Sequence, residues 1–165
     1  MAIGTAEEIR QFQQRTTVGI IGLGVMGLMY AERFSAAGWH VVGCDKDDSY
    51  EQFKEKYGDK FEVVKNGHYV SRVSDYIIYS VEAANIDRIV SEYGPSTKVG
   101  SIVGGQTSCK YPEIAAFEKH LPKDVEIISV HSLHGPNVDP TGQPLVIIQH
   151  RASDESLKLV ESIMS

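Results

Sequence analysis

The chain has 165 residues, 42% of them hydrophobic and 23% charged, which suits one soluble globular domain with a full hydrophobic core. Its 16 Lys and Arg against 22 Asp and Glu leave a net charge of −6, and no basic block could track a phosphate backbone, so a small ligand is expected and nucleic acid is not. No apolar run approaches the roughly 20 residues that cross a bilayer, and the opening MAIGTAEEIRQFQQRTT lacks a signal-peptide pattern. A cytoplasmic protein is expected, with Cys44 and Cys109, which lack metal or redox spacing, as buried unpaired thiols.

Residues 1–16 read as a polar leader and 17–165 as a single domain. TVGIIGL (17–23) is a buried strand that turns directly into a helix over 26–38, where Met26, Met29, Tyr30, Phe34 and Ala37 form one stripe ended by Gly38. WHVVGCD (39–45) is a second strand, 48–58 a polar helix, and FEVV (61–64) a short third strand. SDYIIYSV (74–81) is a fourth, followed by a helix from about Asn85 to Tyr93 that Gly94 and Pro95 stop. TKVGSIVG (97–104) is a fifth, and a helix over 112–121 carries Pro112 at its start, where a missing N–H costs nothing. VEIISVH (125–131) and QPLVIIQH (143–150) complete seven strands, and a Ser-capped helix over 153–164 ends the chain. Strands apolar on both faces and separated by helices predict an α/β fold with a doubly wound, mainly parallel sheet.

GLGVMG, Gly22 to Gly27, follows a strand and opens a helix, which is the context of the Rossmann-type dinucleotide fingerprint. Gly22 permits the tight turn, Gly24 lets backbone approach a pyrophosphate, and Gly27 lets helix pack on strand, so Gly22, Leu23, Gly24, Val25, Met26 and Gly27 are expected around the phosphates at a helix N-terminus. Asp45 ends the second strand 23 residues after Gly22, where a carboxylate would accept from the adenine ribose and favour NAD. Lys46 argues for NADP, because a cation there could neutralise a 2′-phosphate while Asp45 turns aside. In such a sheet the ligand lies beyond the carboxyl ends of the strands, which brings Ser80, Val81 and Glu82, the run from Gly104 through Gln106 to Ser108, and His131 towards the nicotinamide.

The stretch VGIIGLGVMGLMYAERFSAAGWHV resembles β-hydroxyacid dehydrogenases, but the later segments depart from them. YIIYSVEAANI, VGGQTSCK and HSLHGP together resemble prephenate dehydrogenases of the fungal, NADP-dependent type, and the resemblance runs over about residues 17–165. It implies oxidative decarboxylation of prephenate to 4-hydroxyphenylpyruvate in tyrosine biosynthesis, with His131 as the catalytic histidine and Ser108 beside it and the substrate. It also implies a homodimer built by a helical C-terminal domain. The abrupt end at Ser165 fits a cofactor-binding fragment without that domain, expected to bind NADP and turn over little prephenate. Bacterial members of the family usually carry His-Pro and an Asp where Ser132 and Gly105 stand here.

His134 lies too close to Gly135 and Pro136 for a helical metal pair with His131, and no metal is expected. His68, after Asn66 and Gly67, reads as a turn residue, and His40, His120 and His150 as structural or exposed. Two other readings stay open: a β-hydroxyacid dehydrogenase or imine reductase that uses a lysine from a later helical domain, and a nucleotide-binding module without catalysis.

Overall fold

A computed structural model describes residues 6–106, 110–132 and 145–164. Strands β1 (Thr17–Ile21), β2 (His40–Cys44), β3 (Glu62–Val63), β4 (Tyr76–Tyr79), β5 (Ile102–Gly105), β6 (Glu126–Ser132) and β7 (Leu145–Arg151) form one sheet, in the order β3-β2-β1-β4-β5-β6-β7. Every neighbouring pair is parallel except β6 and β7, which run antiparallel. The chain leaves central β1 towards β2 and β3, then crosses back to β4. That reversal makes the β1/β4 boundary the switch point of a doubly wound fold.

Helices cover both faces because the strands carry apolar side chains on both. Val18 and Ile20 of β1 share one core with Tyr30 and Phe34 of α2 (Val25–Ala36) and Val160 of α7 (Asp154–Met164). Ile21 and Ile77 share the other with Val70 of α4 (Gly67–Val73), Val90 of α5 (Ala83–Tyr93) and Phe117 of α6 (Lys110–His120). The aromatic rings of α3 (Tyr50–Tyr57) pack at the margin of the first core. Gly38, with φ 105°, follows α2 and donates its N–H to Ser35 O, the left-handed position at which helices commonly stop.

Two segments differ from expectation. Ala6–Arg15, read as part of a polar leader, forms helix α1, whose Ile9 and Phe12 pack against the first core. Glu8 pairs with Lys158 of α7 at 2.9 Å, and Gln13 donates to Ala37 O. His68 does not sit in a turn: Asn66 accepts from the backbone N–H of His68 and Tyr69 and so caps α4. The His68 ring packs edge-on against Tyr93 and its Nδ1 lies 2.7 Å from Ser96 Oγ. His40, His120 and His150 each approach a carboxylate, of Glu62, Asp87 and Glu118 respectively, and Cys44 is buried.

The end of β5 meets a buried carboxylate. Glu113 of α6 is 0% exposed, and a Cβ added to Gly105 would lie 2.1 Å from its Oε1 and 2.4 Å from its Cδ. Carboxylates are seldom buried this completely, and only a residue without a side chain leaves room for this one. Gly105→Ala is therefore expected to cost about 1–3 kcal/mol of stability through overpacking, read from urea unfolding. In a Glu113→Ala background the same substitution should cost much less, whereas an additive double-mutant cycle would contradict the steric account.

Candidate functional site

The glycine turn sits at the switch point, tied to strands on both sides. Gly22 donates its N–H to Cys44 O of β2 at 2.9 Å, and Ser80, just beyond β4, donates to Ile21 O at 2.7 Å. The turn needs φ 104° at Gly22, a region that side chains disfavour. A Cβ on Gly27 would lie 1.9 Å from Gly22 O, so the first turn of α2 rests directly on the backbone leaving β1. At Gly24 the position of a Cβ has nothing within 4 Å, and the residue is solvent-exposed. Gly24 is the N-cap of α2 and brings no capping side chain, and no acidic residue lies in the first turn. The N–H groups of Val25, Met26 and Gly27 thus form the positive end of the helix dipole with no side-chain acceptor among the described residues, an arrangement suited to a phosphate.

A cavity of about 690 Å³ opens beside this turn and is lined by Gly22, Gly24, Asp45, Lys46, Ser80 and Val81 among others. The remaining residues expected near the cofactor are placed differently. Leu23 is 1% exposed and packs in the core, Met26 is partly buried against it, and Val25 is 63% exposed at the start of α2. Gln106 reaches across from the end of β5 and donates to Ser80 Oγ at 2.9 Å, linking the ends of β4 and β5.

Asp45 faces inward. Its Oδ2 accepts from Leu23 N–H at 3.3 Å and its Oδ1 from Lys46 N–H at 2.9 Å, so the carboxylate braces the glycine turn and is partly spent on protein donors. Lys46 is exposed on the cavity wall. Helix α5 supplies a wall that the strand-end argument does not reveal: Asn85, Arg88 and Ile89 line the same cavity. The available signal was the helical spacing of positions 85, 88 and 89, which puts them on one face.

At the carboxyl end of β6, the backbone sets His131 as the penultimate residue of the strand, opposite Val146 of β7. Ser129, two residues earlier, is fully buried and accepts from Gly105 N–H at 3.3 Å. Ser108 and His134, like Cys109, lie outside the described residues. Burial pushes the phenols of Tyr76 and Tyr79 well above their ordinary range, so these two β4 side chains stay protonated and offer no base. A second cavity of about 300 Å³ lies between Arg15, Thr16, Asp75 and Gly100, at the amino ends of the strands, the edge where doubly wound folds do not bind their ligand.

The chain is 63% identical over 161 residues to a Saccharomyces cerevisiae protein named prephenate dehydrogenase, NADP(+), covering 96% of this chain and 36% of that protein. It is 61% identical over 149 residues to a Schizosaccharomyces pombe protein named probable prephenate dehydrogenase, NADP(+), with 90% and 35% covered. The chain thus spans about a third of the length of these curated relatives. Among solved structures, prephenate dehydrogenase from Aquifex aeolicus, in complex with hydroxyphenyl propionate and NAD+, superposes with a TM-score of 0.71 at 20% identity, over 90% of this chain and 56% of that one, which shows the shared fold. The profile described as NADP oxidoreductase, coenzyme F420-dependent, matches residues 17–103, more than half of the sequence, and the chain belongs to that family.

Proposed function

We propose that this chain is the NADP-binding portion of a prephenate dehydrogenase, which converts prephenate to 4-hydroxyphenylpyruvate and CO2 on the route to tyrosine. The observation that carries the reading is the identity with the two yeast proteins, 63% over 161 residues and 61% over 149. The same reading makes the enzyme a cytoplasmic homodimer. Among the described residues no helix is long and apolar enough to cross a membrane.

The residues present fit the cofactor. The N–H groups at the start of α2 would hold the pyrophosphate, Gly24 would leave it room, and Lys46 would meet the adenosine 2′-phosphate. Asp45, already accepting from two backbone donors, would keep the turn in shape instead of turning its charge against that phosphate. When bound, NADP supplies the hydride acceptor for the alcohol carbon of prephenate.

His131 would take the hydroxyl proton as the hydride leaves. Histidine suits this step because its ordinary pKa of about 6.5 leaves it mostly neutral near pH 7 yet basic enough to accept a proton. Ser108 would hold the hydroxyl or orient the imidazole. The ring carboxylate then departs as CO2, its bonding electrons aromatise the ring, and a proton returns to the oxygen to give the phenol. The β-hydroxyacid dehydrogenase reading, by contrast, makes His131 dispensable and releases no CO2.

Two measurements test the reading. In a chain long enough to match the curated relatives, His131→Asn should lower turnover of prephenate by about 100-fold or more, followed by reduced-nicotinamide absorbance and CO2 release; wild-type turnover would sink the assignment. Asp45→Asn should weaken NADP and NAD together, by about tenfold, since charged hydrogen bonds are worth about 1.5–3 kcal/mol. A selective gain for NADP in calorimetric titrations would instead show Asp45 acting directly on the ribose.

A further inference from the structure

We infer that Arg88, on α5, is a second cationic arm for the adenosine 2′-phosphate and that NADP selectivity is shared between it and Lys46. The inference rests on the cofactor reading above and adds a residue from the far wall of the cavity.

The charge pattern of that cavity motivates it. Its wall carries three carboxylates, of Asp45, Glu82 and Glu92, against two cations, Lys46 and Arg88. A ligand with an additional dianionic phosphate enters such a site only where the cations are gathered. Asp45 is turned to the backbone of Leu23 and Lys46, which lowers its demand on either cation. Arg88 is exposed, and among the described residues its guanidinium forms no ion pair or hydrogen bond; the contact at this residue is made by its backbone carbonyl, which accepts from Ser91 Oγ.

The geometry of α5 explains why Arg88 rather than a neighbour takes this place. Ile86 and Val90 are both 0% exposed and point into the second core, which fixes the rotation of the helix. Asn85 and Arg88, one turn apart, then fall on the cavity side. From there a planar fork can grip phosphate oxygens with two parallel N–H donors, a geometry that a lysine cannot reproduce. Lys46, at the end of β2, would approach the same phosphate from the opposite wall.

The test uses 2′,5′-ADP and 5′-AMP as probes, because they differ by the 2′-phosphate and need no hydride transfer. Calorimetric titration of the 165-residue chain should show Arg88→Gln losing about tenfold or more in affinity for 2′,5′-ADP, as expected for one charge-assisted contact, while 5′-AMP binding changes less than about twofold. Unaltered 5′-AMP binding also reports an intact fold. Arg88→Lys should recover part of the loss. Equal losses for both probes, or no loss for either, would overturn the inference. A wild-type chain that prefers 2′,5′-ADP beside an Arg88→Gln that keeps the preference would overturn the role of Arg88 alone; a wild type that binds neither probe would overturn the cofactor reading and this inference with it.

Discussion

The contact between α2 and the backbone leaving β1 is the constraint on which the rest depends. A methyl group at Gly27 would fall 1.9 Å from Gly22 O, so no side chain can separate the two. Because they touch, the N–H groups of α2 open directly at the switch point. The ends of β2 and β4 then follow through the bonds from Gly22 to Cys44 and from Ser80 to Ile21. Asp45 closes the arrangement from the side by accepting from Leu23. Displacing α2 by even one side chain would carry the N–H groups of its first turn away from the switch point and strain the Asp45 brace on Leu23.

The same crowding recurs at the end of β5, in a different form. At β5 the space that a side chain on Gly105 would fill is taken by the carboxylate of Glu113. A polar carboxyl group thus stands inside the fold near the end of β5, delivered by a helix instead of the strand. Ser129 ties Gly105 to β6 at this level, two residues before His131. The strand that carries the proposed base is therefore fixed to its neighbour two residues before that base, while the glycine turn is held some strands away.

Much of this was legible in the sequence because it depends on local pattern. The strand-glycine-helix succession at 17–38, the apolar strands and the Ser153 cap, which accepts from Ser156 N–H, all follow from periodicity and turn chemistry. Helix α4 was hidden because its seven residues show little apolar period and begin at Asn66 and Gly67, which resemble a turn; Asn66 is in fact a helix cap. Helix α1 was hidden because Ile9 and Phe12 are its few large apolar residues, and their burial depends on α2 and α7 being in place. In the site, the glycines and Asp45 announce themselves by spacing, whereas Arg88 and Glu113 become visible only when separate helices meet the strand ends. Gly105 could be seen as a departure from bacterial relatives, but its reason lies eight residues away in α6.

The central claim is that the dinucleotide is seated on the N-terminus of α2 at the β1/β4 boundary, and amide NMR of the isotope-labelled chain titrated with NADP tests it most directly. The largest shifts are expected at the amides of Gly24, Val25, Met26 and Gly27, with further shifts at Ser80 and Val81. Shifts gathered instead around Thr16, Asp75 and Gly100, at the opposite edge of the sheet, or no shifts at saturating NADP, would contradict it.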